Sequence, residues 1–88
     1  SNDELEDTDA PAIDFNTFVL SLSASVLINL GIEVDGQKAP PDLLVARHTI
    51  DCLAMLETKT AGNLTGEEER LLSHLLDDLR AKYRAAGG

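Results

Sequence analysis

The sequence contains few aromatic residues, a single cysteine and few basic residues. Two Phe and one Tyr are the only aromatics of the 88-residue chain, too few for the stacking platform of a single-stranded nucleic-acid binder. Cys52 has no second cysteine to pair with, which excludes an internal disulfide and fits the reducing cytoplasm. Seven Lys and Arg stand against sixteen Asp and Glu. Because these bases form no stripe that could neutralise phosphates, we expect no nucleic-acid partner.

The acidic residues are concentrated at the amino end of the chain. Residues 1–14 contain no Lys or Arg, and they carry six of the acids: Asp3, Glu4, Glu6, Asp7, Asp9 and Asp14. A segment of one charge sign with few apolar residues cannot bury enough surface to offset its ordering entropy, so disorder is predicted for residues 1–14. We expect a single helical domain over residues 15–86, and we expect Ser1-Asn2, at the place of an initial Met, to be a vector-derived remnant.

Residues 15–32 (FNTFVLSLSASVLINLGI) contain no charged residue. Their length is at the lower edge of what spans a bilayer, but polar residues such as Asn16, Ser23 and Asn29 are spread along them and no basic residue flanks them. We therefore expect no membrane span. Asp14 as N-cap and Gly31 as the residue after the C-cap predict a helix over about 15–30.

This first helix has apolar residues on two sides at the helical period. One face carries Phe15, Phe18, Val19, Leu22, Val26 and Leu30; the other carries Leu20, Ala24, Leu27 and Ile28. A helix with two apolar sides can bury one against its own chain and offer the other to a partner. We expect an interface on the first helix, with Phe18, Leu22, Val26 and Leu30 as its central contacts.

The remainder of the chain predicts two more helices. Asp35-Gly36 indicates a turn, and Pro41 fits the first position of an amphipathic helix over about 41–60. Thr65 and Glu68 match a capping box that begins a helix over about 66–84. The fold class is therefore all-α, a three-helix hairpin or bundle. Since so small a chain has a thin core, we expect a homo-oligomer, a dimer or a higher even oligomer.

Two groups of side chains have helical spacings that metal ligands could use. They are His48, Asp51 and Cys52 on the second helix, and His74, Asp77 and Asp78 on the third. Core packing of Cys52 and surface ion pairs explain them better, so no metal, cofactor or catalytic residue is assigned. A metal-binding protein that uses both histidines stays a remote alternative, since the sequence does not tell whether they converge.

The segments FNTFVLSLSASVLINLG and PPDLLVARHTIDCLAMLETKTAGNLTGEEERLLSHLLDDLRAKY resemble a family of short bacterial proteins, the domain of unknown function numbered eighteen forty-four. The resemblance covers residues 15–83. It implies a small all-helical bacterial protein of the cytoplasm, without known activity, cofactor or catalytic residues. We expect a non-enzymatic interaction or scaffold module that self-associates through its first helix. The alternative is a regulatory adaptor that binds another protein's helix on the same face.

Overall fold

The computed structural model of the chain describes residues 13–88 and contains three helices, α1 (Phe15–Asn29), α2 (Leu43–Lys59) and α3 (Gly66–Ala85). Within these residues β pairing is limited to an isolated bridge. The predicted all-α, three-helix class is confirmed, and each helix end lies within two residues of its prediction. The disorder predicted for the acidic tail falls, up to residue 12, outside the described residues.

Side-chain and backbone caps fix both ends of α1. The Asp14 carboxylate accepts a hydrogen bond from the Thr17 backbone N–H at 2.7 Å, which satisfies a donor at the start of the helix. At the other end Gly31 has a φ of +86°, and the N–H of Ile32 donates to the Leu27 carbonyl at 3.0 Å. This bond is characteristic of the Schellman motif, which needs a residue that tolerates positive φ.

A two-residue turn interrupts the linker between α1 and α2. Val34 and Gln37 exchange two backbone hydrogen bonds, of 2.9 and 2.8 Å. Between them Asp35 and Gly36 both have positive φ, as a type I′ turn requires, and Asp-Gly is a favoured pair there. The turn predicted at this position is confirmed.

The start of α2 differs from its prediction by two residues. Asp42 has a non-helical backbone, and its carboxylate accepts from the Val45 N–H at 3.1 Å. Asp42 is therefore the N-cap, and Pro41 lies outside the helix rather than at its first position. The reason is that Asp is a far better N-cap than Pro, whose side chain cannot accept a hydrogen bond.

The capping box predicted at the start of α3 is present in full. The Thr65 hydroxyl accepts from the Glu68 N–H at 3.1 Å, and the Glu68 carboxylate accepts from the Thr65 N–H at 2.9 Å. Both donors would otherwise lack a partner within the helix. The sequence pattern thus identified the start of α3 to the residue.

The helices run up, down and up, with α2 antiparallel to its neighbours. The Asp42 N–H donates to the Asn29 carbonyl at 2.7 Å, which joins the end of α1 to the start of α2. The Asn16 amide donates to the Glu67 carboxylate at 3.5 Å, so the first turns of α1 and α3 lie side by side. Each helix packs against both others.

The core lies along the common axis of the three helices. α1 and its C-cap contribute Val19, Val26 and Leu30 to this core, and Ser23 is buried on the same side of the helix. The nine buried apolar residues are Val19, Val26, Leu30, Ala46, Ile50, Leu53, Leu72, Leu76 and Leu79. All three helices therefore depend on one another for burial of their apolar stripes.

Removal of the Thr65 hydroxyl will destabilise the protein. We expect Thr65→Ala to lower the free energy of unfolding by about 1 kcal/mol, because the Glu68 N–H loses its acceptor. Thr65→Ser keeps the acceptor and should stay close to wild type. Urea unfolding followed by circular dichroism measures both, and equal losses in the two variants would contradict the capping role.

Truncation in the core will cost more than truncation on the surface. Leu53 is fully buried and Leu44 is 80% exposed, so the two leucines of α2 form a matched pair. We expect Leu53→Ala to lower the free energy of unfolding by about 2–5 kcal/mol. Leu44→Ala should change it by less than about 0.5 kcal/mol. Similar effects in the two variants, measured by urea unfolding, would disprove this packing.

The Asp14 cap will make the stability depend on pH in the acid range. Hydrogen bonds from the side chain and then the backbone N–H of Thr17 lower the pKa of Asp14 below its usual 3.8. A lowered folded-state pKa gives stability that is complete above the unfolded-state pKa and is lost as pH falls through the folded-state value. We expect wild type to exceed Asp14→Asn, which keeps a neutral cap, in free energy of unfolding at neutral pH.

That difference should shrink as the pH falls below about 4, where the carboxyl protonates in both states. Urea unfolding of the two proteins over a series of pH values tests it. A difference that is constant with pH would show that the ionised carboxylate is not the stabilising form.

Candidate functional site

The side of α1 that faces away from the core is the candidate site. It consists of Thr17, Leu20, Ser21, Ala24, Ser25 and Ile28, called here the outer face. Leu20 is 49% exposed, and Ala24 and Ile28 are half-buried. No residue from Phe15 to Ile32 is charged. A solvent-facing helix side without charge is unusual, since such sides are ordinarily polar and charged.

The other two helices have charged outer sides. On α2, Arg47, His48 and Asp51 are exposed, and on α3 His74 and Asp77 are exposed. These exposed polar and charged side chains are hydrated, as is usual on the surface of a protein. The uncharged side of α1 is therefore a local feature and does not follow from the composition of the whole chain.

A shallow groove follows the outer face. Its volume is about 370 Å³, and its floor is built from small side chains of α1, since Ser21, Ala24 and Ser25 are all present. Ile28 lies in the same groove, and Gln37 from the type I′ turn forms a wall. Small side chains on a helix let the backbone of another helix approach closely. The small side chains therefore leave room for another backbone to approach this side of α1.

The polar groups at this groove are partly satisfied within α1. The Ser21 hydroxyl donates to the Phe18 carbonyl at 2.7 Å, so it needs no hydrogen-bond donation to water. A hydroxyl that is bonded within its own helix can be covered by a partner at lower cost than an unpaired one. A partner can therefore cover the Ser21 hydroxyl while its hydrogen bond to Phe18 stays in place.

The four residues predicted as central interface contacts do not lie together on the exposed side. Val26 and Leu30 are buried in the core, and Leu22 is partly buried against it. Phe18 is 42% exposed and borders the outer face. Because the core of one chain already takes up Val26 and Leu30, they are not available to a partner of the folded protein. Phe18 is the residue of this set that a partner can reach.

Of the first group of possible metal ligands, the structure brings His48 and Cys52 together. His48 Nε2 lies 3.8 Å from Cys52 Sγ, on successive turns of α2. Cys52 is half-buried rather than part of the core, which corrects the core position expected for it. His74, Asp77 and Asp78 are exposed on α3, where the Asp78 carboxylate pairs with Lys82. Over residues 13–88 no group of three or more His, Cys, Asp or Glu side chains is arranged to hold a metal.

A second pocket lies where α2 ends and α3 begins. Its volume is about 310 Å³, and its lining includes Glu57, Leu64, Glu69, Leu72 and Ser73. Both carboxylates are exposed, and no histidine lines the pocket to activate the Ser73 hydroxyl. The lining therefore does not contain the nucleophile and base of a hydrolytic site.

None of the helices in the described part of the chain combines the length and apolar character needed to cross a membrane. The uncharged segment of eighteen residues forms a helix of 15 residues, whereas a span needs about 20. The remaining residues of the segment form the turn after α1.

The outer face, the turn and the capping box all lie within a segment that a protein-family model matches. The model is described as a domain of unknown function, DUF1844, and it matches residues 12–85 of the chain. The chain belongs to the DUF1844 family. The resemblance predicted over residues 15–83 is therefore confirmed. No curated protein and no solved structure matches the chain, and the DUF1844 description gives no activity or ligand.

The sequence pattern of this DUF1844 chain shows two apolar faces on α1, and two of the predicted interface residues, Val26 and Leu30, lie on the face that the core buries. The two faces are almost equally apolar, so the helical pattern does not indicate which of them enters the core. The sequence also places Ser21, Ala24 and Ser25 at three- and four-residue spacing, where their small size lets another helix approach closely.

Proposed function

We propose that this DUF1844 protein is a non-enzymatic interaction module that self-associates through the outer face of α1. The observation that carries the proposal is the uncharged, groove-forming side of a helix in a chain whose net charge is −9. Charge on this face would oppose association with an identical chain, and the face has none. The proposed contact residues are Phe18 and the residues of the outer face.

The energetics of a small domain support a second copy as partner. A domain of this size buries only about 60–65% of the surface of its unfolded chain, so its own core provides a narrow margin of stability. Burial of a leucine side chain contributes about 1.5–3 kcal/mol. Leu20 and Phe18 are both nearly half exposed. Covering them would therefore add part of this free energy for each side chain to the stability of the folded protein.

The proposed site of action is the bacterial cytoplasm. The single cysteine supports a reducing compartment, and the family resemblance supports a bacterial source. The exposed charges of α2 and α3 are mixed in sign, which supports a protein partner over nucleic acid. Binding of another protein's helix in the same groove is the alternative occupant, and the experiment below separates the two.

A lysine on the outer face will abolish self-association. We expect wild type to have a solution mass of twice the 9.5 kDa chain and Leu20→Lys to be a monomer, because an ammonium group would be buried without a partner. Lysine also lowers the net negative charge, so a loss of association cannot come from added repulsion. Light scattering behind a sizing column measures the mass, and circular dichroism checks that the helices remain.

Leu44→Lys is the matched control, since Leu44 is a more exposed leucine on the outer side of α2. It should stay at the mass of wild type. A wild-type monomer would refute self-association and favour the adaptor alternative. A dimer that Leu20→Lys leaves intact, or that only Leu44→Lys disrupts, would move the interface away from α1.

A further inference from the structure

We draw no further inference here: the strongest candidate, the pocket of about 310 Å³ between the end of α2 and the start of α3 with Glu57 and Glu69 in its lining, offers a ligand only two exposed carboxylates, and nothing in the structure shows what fills it.

Discussion

Packing of one side of α1 against α2 and α3 is the contact on which the rest of the molecule depends. Val19 and Val26 are fully buried there, and they fix the rotation of α1 about its axis. Because residues 15–32 carry no charge, any rotation would leave an uncharged side in solvent. The core determines that this side consists of Leu20, Ser21, Ala24 and Ile28 with their neighbours. The way the core is filled therefore decides which side of α1 is open to the proposed association.

The end of α1 and the linker that follows it form the wall of the groove on the outer face. The Gly31 turn and the bond from Asp42 to the Asn29 carbonyl hold the linker against the end of α1. The two positive φ values at Asp35 and Gly36 then direct the turn back, and Gln37 comes to line the outer face. The backbone conformation of the linker thus shapes one edge of the outer face.

The sequence predicted the elements of this fold better than their relative rotation. A capping side chain such as that of Thr65 bonds to a backbone group only three residues away, so the start of a helix can be predicted from neighbouring residues. The start of α2 was predicted two residues early because Pro41 also suits the first position of a helix. The α1 interface was assigned to Val26 and Leu30 because both sides of α1 are apolar. Only contacts with residues distant in sequence, in α2 and α3, decide which side enters the core. Periodicity within one helix contains no information about them.

Methyl contacts between two differently labelled copies test the central claim most directly. In a sample that mixes ¹³C-labelled and unlabelled protein, filtered nuclear Overhauser spectra report only protons close across the two chains. The account predicts cross-peaks between chains from the methyl groups of Leu20 and Ile28 on the outer face, and none from Val26 or Leu30, which the core of one chain encloses. Cross-peaks from Val26 and Leu30, or no cross-peak between chains at all, would contradict it.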